Sequence, residues 1–137
     1  TLGIFDDCCN EFWWLSTYVA KGLARNELPY AIAHLDYMRK QLMTMLSWQV
    51  GLEQGFIFSI GKQFKYLQQH VSDVSWQRLS DTWNAGSPEA CGKALEVMLD
   101  LFREVSMDVA KRFGYAYPDY DAKVNSYLGM LPWQFLK

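Results

Sequence analysis

Little in this chain of 137 residues supports the commoner catalytic or metal chemistries. There are only two histidines and three cysteines. His34 and His70 stand alone, and no CxxC or Cys/His spacing offers a zinc site. Cys8 and Cys9 are neighbours in a helical pattern, so their side chains diverge. With Cys91 they form an odd set without a disulfide framework, which points to a reducing compartment, the cytoplasm. No basic segment followed by an apolar run opens the chain, so no secretory leader is expected. No apolar run approaches the length that crosses a bilayer, and no membrane partner is expected. Lysine and arginine number 13 against 15 acids, a net charge of −2 with no basic block. That balance argues against nucleic-acid binding driven by phosphate neutralisation. Nucleophile-elbow, Walker, zincin and dinucleotide-binding glycine motifs are all missing, so no catalytic constellation is readable from motifs alone.

What is present is a folded composition, half apolar and one fifth charged. The length suits one domain, here the whole span 1–137, which buries roughly two thirds of its unfolded surface. Helical periodicity dominates. A first helix is predicted over Phe5–Arg25, with Phe5, Cys8, Phe12, Leu15, Val19 and Leu23 as its core stripe. Gly22 within it suits a close approach. Asn26 can cap a second helix over Glu27–Leu52, with Pro29 tolerated in its first turn. Leu28, Ile32, Leu35, Leu42, Met45 and Gln49 give that helix its buried side, and Met38, Met43 and Met45 read as packing filler. The pattern breaks between Gly51 and Gly61, where Phe56-Ile57-Phe58 reads as a short strand or a buried loop. Short helices are predicted from Lys62 to about His70 and from Val74 to Trp83. Ser87-Pro88-Glu89 is a strong helix start. The helix it opens keeps Leu95, Met98, Phe102, Val105, Val109 and Phe113 in period and ends at Gly114. A last helix is predicted over Asp119–Leu131, stopped by Pro132. The fold class is all-α, a bundle of five or six helices.

One helical face does not look like packing alone. Asp7, Glu11, Trp14, Tyr18, Lys21 and Arg25 recur at steps of four and three, so all six share a face opposite the core stripe. Around them Phe5 to Asn26 crowds acids, adjacent tryptophans and cations into about six turns.

The residues Phe5-Asp6-x-Cys8-Cys9-Asn10-Glu11-Phe12-Trp13-Trp14, then Ser16-Thr17-Tyr18-Val19, Lys21-Gly22-Leu23 and Arg25-Asn26-Glu27, resemble the C-terminal domain of the aminoglycoside 6-adenylyltransferases, also called streptomycin adenylyltransferases. Three later motifs agree: Gly61-Lys62-x-x-Lys65-Tyr66, Phe102-Arg103-Glu104-Val105 and Gly114-Tyr115-x-Tyr117-Pro118-x-Tyr120-Asp121. The likeness runs from Phe5 to about Leu128. It implies a bacterial, two-domain enzyme of antibiotic resistance that moves AMP from ATP onto an aminoglycoside hydroxyl. In that family an N-terminal nucleotidyltransferase domain carries a Gly-Ser loop and aspartates that hold Mg2+ and ATP. This chain shows neither feature. Asp119 and Asp121 lie in a tyrosine-rich helix start that reads as a capping region. The expectation is therefore a substrate-side helical domain without the N-terminal domain, inactive alone and holding no metal itself.

Streptomycin-like substrates carry guanidinium and amine cations, which call for carboxylates and aromatic faces. The resemblance thus points to Asp7, Glu11, Trp14 and Tyr18 as substrate contacts. The competing reading pairs Glu11 with a buried arginine such as Arg103 and puts Trp14 in the core. Lys62 and Lys65, three apart after Gly61 at a helix start, are the proposed phosphate contacts, with Tyr66 beside the base or sugar; a solvated helix end is the alternative. Lys21 and Arg25 either reach phosphates or, the favoured reading, bridge to acids on a neighbouring helix. Tyr115, Tyr117 and Tyr120 read as a corner tying the last helix down. Trp48, Trp76, Trp83 and Trp133 read as packing. No catalytic residue is assigned, with Glu11 one candidate for the base. Two other classes stay open: a non-catalytic helical module binding a cationic small molecule, and a structural bundle that associates through its aromatics.

Overall fold

A computed structural model of the chain describes residues 1–56 and 59–131. These residues form five α-helices: α1 (Leu2–Ala24), α2 (Leu28–Gln54), α3 (Asp73–Asp81), α4 (Pro88–Phe113) and α5 (Tyr120–Leu128). No strand occurs among the described residues, in keeping with the all-α expectation. Ile57, Phe58, Pro132 and Trp133 lie outside them.

The helix ends follow local chemistry. Thr1 Oγ1 accepts the Ile4 N–H at 3.4 Å, so α1 starts three residues before the predicted Phe5. Asn26 does not cap α2 as predicted. It adopts a left-handed φ of 59° in the tight connection, and Glu27 takes the cap position without a side-chain bond. α2 runs past Leu52 to Gln54, where Gly55 at φ 88° donates its N–H to the Gly51 carbonyl at 2.7 Å. The start of α4 is as predicted: Ser87 Oγ accepts the Ala90 N–H at 3.1 Å ahead of Pro88. Gly114, at φ 74°, ends it. α5 is shorter than the predicted Asp119–Leu131, and Asp119 makes no side-chain cap bond.

The core lies between α1, α2 and α4. Phe12 of α1 stacks on Phe102 of α4 with centroids 3.8 Å apart and planes 7° from parallel. Trp13 meets both rings edge-on, at 5.0 Å and 5.8 Å. The predicted stripe of α1 is buried throughout. Gly22 is a true close approach, since a Cβ there would come within 3.1 Å of Ala31 Cβ and 3.2 Å of Ala31 N on α2. α5 packs against α1, and α3 against α4. One predicted core residue of α4 is not buried: Phe113, in the last turn, faces outward and stacks on Tyr115 at 5.1 Å.

The segment after α2 departs most from expectation. The predicted helix from Lys62 to His70 is instead two three-residue 3-10 turns, Lys62–Phe64 and Leu67–Gln69. Gly61 at φ 82° turns the chain, and Gln63 and Phe64 adopt φ near 60°. The Tyr66 N–H bonds the Ile60 carbonyl at 2.7 Å, closing a loop that a helix would leave open. Phe56 is neither strand nor buried: its φ is 59° and its ring is exposed.

Candidate functional site

α1 presents its mixed face to solvent because its core stripe occupies the opposite side. Asp7 and Glu11, one turn apart, are exposed and have no hydrogen bond or ion pair among the described residues. Like charges at this spacing repel by a few tenths of a kcal/mol, and nothing nearby on the helix offsets it. Trp14 is not a core residue: 48% of it is exposed. Its indole Nε1–H donates to the Tyr18 hydroxyl at 2.8 Å, and the two rings meet edge-on at 5.8 Å. That bond fixes an indole that is about half exposed. The half-buried Tyr18 in turn contacts the His34 ring of α2 at 5.2 Å.

The alternative partner of Glu11 is otherwise engaged. Arg103 of α4 donates to both carboxylate oxygens of Asp121 on α5, Nε to Oδ2 at 3.0 Å and Nη2 to Oδ1 at 3.1 Å. Asp121 is buried and also accepts from the Tyr117 hydroxyl at 2.7 Å and from Asn125 Nδ2 at 2.5 Å. The Asp121 hydrogen bond raises the Arg103 pKa further, against the desolvation that would lower it. Burial pushes the Tyr117 hydroxyl pKa up strongly. Sequence reasoning missed this network; the Tyr-Pro-x-Tyr-Asp run, with an arginine on the preceding helix, was the available signal. The tyrosine corner is otherwise as read, with Tyr115 against Phe5 at 5.5 Å.

Trp14 also belongs to a groove of about 340 Å³ between α1 and α5. Trp14, Thr17 and Lys21 line one wall, and Tyr120, Lys123, Val124 and Tyr127 the other. Lys21 does not bridge to an acid as favoured above. Its ammonium lies 5.8 Å from the Tyr18 ring centroid and 5.6 Å from that of Tyr127. Arg25 is exposed at the end of α1, with no ion pair among the described residues.

Lys62, Lys65 and Tyr66 are exposed on the irregular turn, with the Lys65 ammonium 5.0 Å from the Tyr66 ring centroid. The argument from a helix N-terminus fails there, because a three-residue turn has no row of aligned amides. Among the described residues no hydrogen bond, ion pair or ring contact joins this turn to the α1 face. The packing reading holds for Trp48 and Trp76 but not fully for Trp83. Half-exposed, Trp83 stacks under the guanidinium of Arg39 at 4.9 Å. No group of three His, Cys, Asp or Glu side chains among the described residues is arranged to hold a metal ion. No described helix is long and apolar enough to cross a membrane.

Fold and face together define an all-helical domain that carries one acid-and-aromatic surface on its first helix. The chain belongs to the streptomycin adenylyltransferase family, whose sequence profile matches residues 1–131. It is 47% identical over 129 residues to an aminoglycoside 6-adenylyltransferase of Campylobacter jejuni, covering 93% of this chain and 45% of that protein. A Bacillus subtilis protein of the same name is 42% identical over 124 residues, covering 90% of this chain and 44% of that protein. The crystal structure of an aminoglycoside 6-adenyltransferase from Bacillus subtilis superposes with a TM-score of 0.87 at 40% identity, over 94% of this chain and 49% of that one. The chain thus spans about half the length of the relatives it matches.

Proposed function

We propose that this chain is the helical, substrate-side part of an aminoglycoside 6-adenylyltransferase, confering resistance by moving AMP from ATP to a hydroxyl of a streptomycin-like drug. The reaction forms a bond from the drug's oxygen to the α-phosphorus and releases pyrophosphate. It consumes ATP and so belongs in the bacterial cytoplasm. A nucleotidyltransferase domain outside this chain would bind ATP and supply the Mg2+ chemistry. The observation that carries the reading is the pairing of two exposed, unpaired carboxylates, Asp7 and Glu11, with an indole that Tyr18 holds in place. A polycationic sugar offers ammonium and guanidinium donors for the acids and a stacking cation for the indole. Lys62, Lys65 and Tyr66 are proposed as phosphate and nucleotide contacts reaching from their turn; the support is charge and exposure, without a helix dipole.

Calorimetric titration of the chain with streptomycin tests this. Glu11→Gln combined with Asp7→Asn is expected to weaken binding about tenfold or more, as loss of charge-assisted bonds does. Unchanged affinity in that variant would sink the assignment. With labelled ATP and streptomycin, the chain by itself is expected to transfer no AMP. Transfer would show that the catalytic groups reside here after all.

A further inference from the structure

Two routes lead away from Trp14 for a ligand too long for the acid pair alone. The groove between α1 and α5 carries Lys21 and Lys123 and no carboxylate in its lining, which repels a polycation. The other route crosses Tyr18 onto α2. There Tyr30, His34 and Tyr37 recur at steps of four and three and share one face. The rings run in unbroken contact: Trp14 to Tyr18 at 5.8 Å, Tyr18 to His34 at 5.2 Å, then His34 to Tyr30 at 4.3 Å and to Tyr37 at 5.7 Å. Tyr30 and Tyr37 are exposed. The state of His34 follows from its one hydrogen bond, Nδ1 to the Tyr30 carbonyl at 2.9 Å. A carbonyl only accepts, so Nδ1 carries the proton, and the neutral ring offers a lone pair at Nε2. No hydrogen bond or ion pair reaches Nε2 among the described residues.

Resting on the function proposed above, we infer that His34, with Tyr30 and Tyr37 beside it, selects multi-ring drugs: its Nε2 accepts from an amine on a sugar ring remote from the one that Asp7 and Glu11 hold. The acids and Trp14 take a guanidinium-rich end on α1. Tyr18 carries the chain of rings across to α2, where an ammonium N–H meets a neutral acceptor between tyrosine faces, a charge-assisted bond with cation–π support. Lys40, 5.9 Å from the Tyr37 ring centroid, is exposed and has no ion pair among the described residues, so a bound cation can displace it. A single-ring cation reaches only α1, and a longer drug reaches both helices.

The test is calorimetric titration of the chain with streptomycin and with streptidine, its diguanidino ring alone. His34→Phe keeps a ring on α2 and removes the acceptor. It should weaken streptomycin about tenfold, the loss of one charge-assisted bond, and leave streptidine unchanged. Tyr37→Ala, at an exposed side chain, should weaken streptomycin about threefold through the lost cation–π face and again spare streptidine. A thermal melt confirms that both variants are folded. Unchanged streptomycin affinity in His34→Phe overturns the inference. So does an equal loss for both ligands, which would mean that His34 serves the α1 end or the fold. If Asp7→Asn with Glu11→Gln leaves both ligands bound as before while His34→Phe still weakens streptomycin alone, the proposed function is overturned and the α2 contact stands.

Discussion

Arg103 of α4 and Asp121 of α5 form a two-point ion pair, a polar tie that fastens the last helix to α4. Beside it stand the buried apolar residues of the nine-residue α5, Val124 and Leu128, with Tyr120 packed against the core. Asp121→Ala should therefore do more than remove one contact. It leaves the partly buried guanidinium only the exposed Asp100, 3.5 Å away, and takes from the Tyr117 hydroxyl its carboxylate acceptor. Breaking a buried pair costs about 3–5 kcal/mol, and with Arg103 about one third exposed the screened value should fall near 2–3 kcal/mol. Urea denaturation measures it. Hydrogen exchange should speed up in α5 before α2 or α4.

Arg39 and Asp36 are also paired, at 2.6 Å, but the two ends are unequal. Arg39 is buried and donates to Thr82 Oγ1 at 2.8 Å and to the Thr82 carbonyl at 2.7 Å, joining α2 to the end of α3. Asp36 is exposed. Arg39→Ala is expected to cost about 3 kcal/mol, because the buried Thr82 carbonyl loses its charged donor. Asp36→Ala should cost under about 1 kcal/mol, as exposed partners do. Comparable losses for both in thermal melts would contradict this division.

Gly22 lets α1 and α2 touch. A leucine there has no space against Ala31 and Tyr30. Gly22→Leu should separate the helices and destabilise by about 3 kcal/mol, at the top of the range for overpacking, despite leucine's better helix propensity. A calorimetric melt that stays unchanged would mean that the contact is loose.

The three cysteines are free and buried. Burial pushes Cys8 up to about 12 and Cys91 up to about 11, and raises Cys9 as well. At neutral pH the folded protein should react with a thiol reagent far more slowly than the unfolded protein. A thiol whose folded pKa is raised lets the unfolded state lose its proton first. Stability is therefore constant with respect to these groups below about pH 9 and falls as pH rises from 9 toward 11 to 12. A stability curve flat across that range, after correction for tyrosine and lysine, would contradict their burial.

The sequence carried much of this fold. Spacing alone separated Phe5, Cys8 and Phe12, which are buried, from Asp7 and Glu11, which are not, because a helix repeats every 3.6 residues whatever it packs on. Ser87-Pro88 and Gly114 likewise marked α4, since capping depends on a few adjacent residues. Gly22 was legible as a close approach for the same local reason. The motif order placed the chain in its family.

Where contacts are distant in sequence, local rules had nothing to read. A backbone turn can mislead even locally: Lys62 to His70 looked helical, yet the left-handed Gly61 and the short-range Tyr66 to Ile60 bond closed a loop instead. Glu11 had two candidate fates, and only the docking of α5, which gives Arg103 to Asp121, left Glu11 unpaired. Trp14 and Lys21 could be assigned to a face but not to a groove, because a groove needs a second wall. Tyr120, Lys123 and Tyr127 supply it from more than 100 residues away. Helix periodicity set which residues look outward; the packing of α5 on α1 decided what they look at.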